Sequence, residues 1–385
     1  MNWLRTQRRK YKRWSKEVRA GREVIAGAKS AQTYLSANPQ IFIGPTNSAG
    51  QGTSWARALA QSGVQSKSMR IVNSEEEFFT ADLSLARLDW VKFATRLNLA
   101  KQIGSEFSGV LLESIRPIFA LKVDNSFTAI NAIADLKLLK RAKKKVAVVF
   151  HGSDIRDLDY HASVNPFSPY RSAGPDAEPV RVRAAQARSV LPALRRAKVP
   201  IFITTPDLFH EVPDAIWLPL TINLPPYLRV ADESPAFAHS GAPRVLYLPS
   251  KSWVKSAEII EPILRRLDEA GVIKWVRSER VSNEALPELM RTCDVLVDQF
   301  VGIVGALPLE AMAAGRLVLT HLEDWAYEKI AKPPVLEVTP TTLEKVLREL
   351  KVDSEQISAG RDYVRKWHDG TVSSNLLRDK LLAKK

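Results

Sequence analysis

Four short stretches of this 385-residue chain carry side chains able to handle a ligand. The first, Gly44-Pro-Thr-Asn-Ser-Ala-Gly-Gln-Gly-Thr53, is a run of small residues directly after an apolar segment. Such a loop is either a plain tight turn or a place where backbone N–H groups at a helix start meet a ligand, with Gly50 and Gly52 permitting close approach. Its spacing is not the dinucleotide fingerprint G-x-G-x-x-G. The second, His151-Gly-Ser-Asp154-Ile-Arg156, closes an apolar strand-like run. Open α/β sheets place ligand groups at that end of a strand, so His151 and Asp154 are candidate contacts to a hydroxylated substrate, with Asp154 and Arg156 expected on the acceptor side. In the third, Leu248-Pro-Ser250-Lys251-Ser252-Trp-Val-Lys255, an ammonium falls near a helix start, where it can neutralise a phosphate. The fourth runs from Gly302 through Glu310 to Leu319. Gly305, Ala306 and Leu307 are expected to form a helix N-terminus that binds a diphosphate through backbone N–H groups, with no metal and no other cofactor. Glu310, one turn in, can accept hydrogen bonds from a ribose diol. Asp157, Asp159 and His161 look superficially like a metal cluster, yet the histidines at 210, 239, 321 and 368 show no ligand spacing.

These stretches need a scaffold, and the sequence supplies one. Short β-rich runs at Ile41–Gly44, Met69–Val72, Gly109–Leu112, Lys145–Phe150 and Val199–Thr204 alternate with helical patterns such as Thr53–Ser62 and Ala129–Arg141. A second series follows at Arg244–Leu248, Val272–Val276, Asp294–Asp298, Arg316–Thr320 and Val335–Val338, with helices at Ala257–Ala270 and Leu309–Ala314. This alternation predicts βαβ units around parallel sheets. Residues 206–243 hold seven of the 23 prolines and read as a linker. The expected organisation is α/β: a basic arm (1–40), one doubly wound Rossmann-like domain (41–205), the Pro-rich linker (206–243), a second such domain (244–355) facing it across a cleft, and a closing helix (356–385).

Charge adds a partner. The chain has 56 Lys+Arg against 42 Asp+Glu, a formal net of +14, and residues 1–30 alone carry ten cations against Glu17 and Glu23, or +8. At helical spacing Trp3, Leu4, Tyr11, Trp14, Val18 and Ile25 form one stripe, with cations opposite, a pattern suited to a layer of acidic lipid headgroups. The stripe could equally pack on the protein's own body. No nucleic-acid signature accompanies it, so nucleic acid is not the expected partner. The remaining +6, spread over the body, calls only for anionic ligands. Apolar residues make up 45% of the chain, enough for sizeable cores and against wholesale disorder. The single cysteine, Cys293, the absence of a signal-like run and of about 18 consecutive apolar residues predict a cytoplasmic protein, peripheral at the inner face of the membrane.

Taken in order, the pieces resemble the GT-B fold nucleotide-sugar glycosyltransferases, most similar to the large retaining family four. The resemblance spans about residues 41–380 and rests on the Gly-rich loop, the His-Gly-Ser-Asp stretch, Pro-Ser-Lys-Ser-Trp-Val-Lys and Leu-Glu-Ala-Met-Ala-Ala-Gly, the last being the most specific. The segment from Gly360 to Asp369 also looks like the closing helix of these enzymes. The resemblance implies that a nucleoside diphosphate sugar is the donor and a glycan or lipid-linked molecule the acceptor. It further implies that His151 lies near the anomeric carbon, that Ser250, Lys251, Lys255 and the Gly305 helix end hold the diphosphate, and that Glu310 holds ribose. Two positions depart from the family pattern. Gly302 stands where a glutamate usually contacts sugar hydroxyls, and Ser252 where an arginine accompanies the lysine. Asp298 and Gln299 are the expected source of the missing sugar contacts. A non-catalytic nucleotide-sugar-binding partner subunit and a nucleotide-sugar epimerase on the same fold are the alternative readings.

Overall fold

A computed structural model describes residues 40–72, 79–119, 129–171, 174–249, 256–279 and 281–382. Residues 1–39 of the basic arm and Ser250, Lys251, Ser252 and Lys255 lie outside the described residues.

The strands run β1 (Gln40–Gly44), β2 (Gln65–Val72), β3 (Leu83–Ala86), β4 (Gly109–Glu113), β5 (Lys145–Phe150), β6 (Ile201–Ile203), β7 (Ile216–Trp217), β8 (Arg244–Tyr247), β9 (Lys274–Val276), β10 (Val295–Val297), β11 (Leu317–Thr320) and β12 (Leu336–Glu337). Ten of these match the apolar runs read from the sequence, with shifted ends; β3 and β7 were not legible there. One sheet has the order β3-β2-β1-β4-β5-β6-β7 and the other β12-β11-β10-β8-β9. The second is parallel throughout, and β3, β2, β1, β4 and β5 are parallel in the first. Such strands are covered on both faces, which is why β4 and β10 are buried along their whole length and read as continuous rather than alternating runs.

The described residues group into two compact units, one of 40–155, 185–202 and 373–382, the other of 156–184 and 203–372. The division therefore follows the chain less simply than the linear expectation. Residues 156–184, expected in the first domain, group with the second sheet, and the helix Thr371–Leu381 returns to the first unit. Its Leu381 packs so closely on β4 that a Cβ at Gly109 would meet it at 2.9 Å. Residues 206–243 are not plain linker either: they hold a 3-10 turn (Pro206–Phe209), β7 and the helix Leu224–Glu233. Prolines open both the 3-10 turn and the helix, in first turns where a fixed φ and a missing N–H cost nothing.

In the second unit side-chain alternation sorts the core into two layers. Leu246, Leu296 and Val318 pack on one face with Tyr227, Met312 and Val364. Val245, Tyr247, Val295, Val297, Leu317 and Leu319 pack on the other with Ile260, Leu264 and Leu267 of the helix Ala257–Glu269.

Candidate functional site

Each sheet reverses its order once, between β1 and β4 in the first and between β8 and β10 in the second. At such a switch point the loops leaving the two strands diverge and open a crevice at their C-terminal ends. His151, Asp154, Asp298, Gln299, Gly305 and Glu310 follow strands flanking these two places.

In the first unit the loop after β1 winds through left-handed backbone at Asn47 (φ 48°), Ala49 (φ 50°) and Gly50 (φ 72°) before the helix Gln51–Gln61 begins. Its organiser is Glu113, the last residue of β4 and fully buried. The backbone N–H groups of Thr46 and Asn47 both donate to Glu113 Oε2 at 2.8 Å. The other oxygen, Oε1, lies 3.4 Å from His151 Nε2. The His151 ring stacks on Trp55 with centroids 5.7 Å apart, and Asp154 folds back to accept the N–H groups of His151 and Gly152. Burial disfavours the imidazolium, but Glu113 and then Asp154 more than offset this, so the His151 pKa is raised. Gly50 and Gly52 do not leave open space: a Cβ would meet Phe79 at 2.9 Å and Asn47 Oδ1 at 3.1 Å, respectively. Their absent side chains serve packing of the loop.

Arg156, offered by the sequence as an acceptor contact, is 5% exposed. Its guanidinium is held by Asp207, Tyr170 and Thr205 in the interior of the second unit. Burial alone would raise the Asp207 pKa, yet the Arg156 charge outweighs it and the carboxyl ends below its ordinary value. The apparent metal cluster dissolves in the same way. His161 bonds Ser168 Oγ and the Val301 carbonyl, Asp157 caps the helix Leu158–Val164, and Asp159 pairs with Arg181.

In the second unit the helix Ala306–Ala313 starts after Gly305, whose backbone is extended. Its N-cap position is glycine and offers no capping side chain, and among the described residues a Cβ at Gly305 would meet nothing within 4 Å. The N–H groups of Ala306 and Leu307, in the first turn, have no acceptor within the helix itself. Glu310 lies one turn further on and is 7% exposed. Burial pushes its carboxyl up to about 7. The buried Tyr227 hydroxyl faces it without closing a hydrogen bond, and its proximity offsets burial only in part. Carboxyl and hydroxyl together have unused hydrogen-bonding capacity.

Asp298 and Gln299 follow β10 and are both buried; Thr320 Oγ1 donates to the Gln299 carbonyl at 2.6 Å. Beyond them the backbone at Gly302 has φ +91°, and a Cβ there would stand 2.5 Å from Glu323 Cγ. Glycine is required because Glu323 occupies the room. The Glu323 N–H bonds the Gly302 carbonyl at 2.9 Å, and its carboxylate pairs with His321 Nε2 at 2.9 Å.

Glu113, Tyr227, His321 and Glu323 were not singled out from the sequence. Glu113 had a signal, a carboxylate ending an otherwise apolar Gly-Val-Leu-Leu run. The other three had none, since each gains its place only through packing between distant segments.

Two doubly wound parallel sheets with these loops define the GT-B class of fold. Solved structures similar to the chain include sucrose-phosphate synthase from Thermosynechococcus elongatus, with a TM-score of 0.55 at 13% identity, covering 88% of this chain and 97% of that one. HepE from Anabaena, solved in complex with UDP-glucose, gives 0.54 at 10% identity over 89% and 99%. The catalytic domain of starch synthase IV from Arabidopsis thaliana, bound to ADP and acarbose, gives 0.52 at 9% over 90% and 99%. At these identities the likeness is one of fold. No protein-family model and no curated protein sequence matches the chain.

Proposed function

We propose that the protein is a retaining glycosyltransferase that moves a sugar from a nucleoside diphosphate sugar to a glycan or lipid-linked acceptor at an acidic membrane surface. The observation that carries this reading is the buried Glu310 one turn inside an uncapped helix end, at the switch point of the second sheet. First-turn N–H groups at Ala306 and Leu307 suit a diphosphate, and a carboxylate 3 to 4 residues further along the helix suits a ribose diol. Lys255 adds the cation that neutralises the leaving diphosphate, Ser250 and Lys251 contribute to the same binding, and departure needs neither metal nor acid. The missing glutamate at Gly302 is answered locally: Glu323 brings a carboxylate to that place from the end of β11, and with Asp298 and Gln299 it contacts sugar hydroxyls. His151, whose pKa Glu113 raises, faces the anomeric region.

Calorimetry with UDP, GDP and their sugars tests the assignment. Lys255→Ala and Glu310→Ala are each expected to weaken binding at least tenfold; unchanged affinity in both sinks it. Transfer or slow hydrolysis of the donor separates an enzyme from a partner subunit that only binds, and release of an altered nucleotide sugar without acceptor identifies an epimerase.

A further inference from the structure

The body's positive charge is not spread over it. Residues 129–149 and 185–202 hold ten cations (Lys137, Lys140, Arg141, Lys143, Lys144, Lys145, Arg188, Arg195, Arg196 and Lys198) against one carboxylate, Asp135, a net of +9. Together with the +8 of residues 1–30 this exceeds the whole-chain +14, so the rest of the protein carries −3. Asp135 is fully buried and accepts the N–H groups of Ile118 and Phe119, which removes it from the surface.

The fold brings the two stretches together. The helices Ala129–Arg141 and Leu191–Arg196 end beside each other, with Lys140 Nζ donating to the Ala197 carbonyl. Their turns feed β5 and β6, neighbours in the sheet. Lys137, Lys140, Arg141, Lys143, Arg195, Arg196 and Lys198 are all exposed there. Lys137, Lys143, Arg196 and Lys198 have no carboxylate partner among the described residues. The patch therefore occupies the N-terminal edge of the first sheet, the edge opposite Glu113 and His151. β1 begins at the same edge: Ser108 N–H bonds the Gln40 carbonyl at 2.9 Å and Lys145 N–H the Ser108 carbonyl at 3.1 Å.

We infer that this edge docks the first unit onto an anionic lipid surface. Exposed cations near acidic headgroups each contribute to adsorption, and no aromatic side chain on which bases could stack interleaves them at 137–145 or 195–198, which favours lipid over single-stranded nucleic acid. Docked this way, the unit turns its switch-point loops away from the lipid plane. Charge placement alone carries this, independently of the transferase reading.

The test is co-sedimentation of the full chain with vesicles of phosphatidylcholine, with and without phosphatidylglycerol, comparing the parent with the triple variant Lys137→Gln, Lys143→Gln, Lys198→Gln. At roughly fivefold per cation, the triple variant is expected to partition about a hundredfold more weakly onto acidic vesicles, with unchanged melting temperature and nucleotide binding. Undiminished partition of the triple variant overturns the inference, as does equal binding of the parent to neutral vesicles. Tighter, equally lysine-dependent binding to an RNA or DNA oligonucleotide than to acidic vesicles also overturns it. Deletion of residues 1–30 is the independent arm. Binding that survives the deletion but is lost in the triple variant supports the patch; binding lost on deletion and untouched in the triple variant assigns the lipid contact to the terminal segment and overturns the inference.

Discussion

Replacing Glu310 with glutamine gives the most direct reading of the second switch point. A glutamate ordinarily titrates near 4.5, and burial moves this one to about 7. At 1.36 kcal/mol per pH unit, keeping it ionised costs the folded state roughly 3 kcal/mol once the pH is well above 7. The native state holds this proton more tightly than the unfolded chain, so between about pH 4.5 and 7 it binds more protons, and stability falls as pH rises through that window. Glu310→Gln has no proton to lose. Any fixed cost of burying an amide is the same at every pH and cancels when the comparison is made at pH 5 and pH 8. The variant should therefore gain about 2 kcal/mol more over the parent at pH 8 than at pH 5, or roughly 4 to 8 °C in melting temperature for a unit of this size. Its affinity for nucleoside diphosphates should move the other way, falling about tenfold to a hundredfold as charge-assisted bonds to the diol are lost. Thermal melts at the two pH values and calorimetry decide it. An equal melting difference at both pH values would refute the argument that Glu310 is a buried acid whose ionisation the fold opposes.

Glu113→Gln should keep an acceptor for the Thr46 and Asn47 N–H groups but lower the His151 pKa, measured by NMR titration; an unmoved His151 would show that the pair is not coupled. Because that pKa is raised in the folded state, the ion pair's contribution is complete below about 6.5 and is lost as pH rises through the folded value. Asp207→Ala leaves the Arg156 charge buried and is expected to cost about 3 to 5 kcal/mol in chemical denaturation, most of it recovered in the double variant Arg156→Met, Asp207→Leu. Gly302→Ala meets both a left-handed φ and Glu323, and should cost about 1 to 3 kcal/mol; Glu323→Ala in the same chain should relieve the steric part but not the backbone part.

The sheets were legible because a parallel strand covered on both faces must be apolar along its length, as Val110, Leu111 and Leu112 or Val295 to Val297 are. Edge strands lack that requirement, which is why β3, with Leu83 and Leu85 alternating against exposed partners, and the two-residue β7 escaped notice. Glu310 and the Gly305 helix start were legible because both belong to one continuous segment whose local geometry needs no distant help. Arg156 misled for the converse reason: its neutralising partner is Asp207, 51 residues away, and only folding reveals that its charge is spent. Glu323 was invisible behind Gly302, since a glycine advertises the absence of a side chain but not the identity of what fills the space.

The return of the helix Thr371–Leu381 to the first unit bears on how the protein is made. Leu377 and Leu381 are wholly buried, so the hydrophobic interior around β4 stays open until they arrive. The first unit's other segments end at Phe202, and Leu381 leaves the ribosome 179 residues later, which at about 5 to 20 residues per second is a delay of roughly 9 to 36 s. During that interval an unfinished first unit coexists with a second one already being assembled. The first sheet is thus sealed only after the second has been made, which leaves apolar surface around Gly109 uncovered in the meantime.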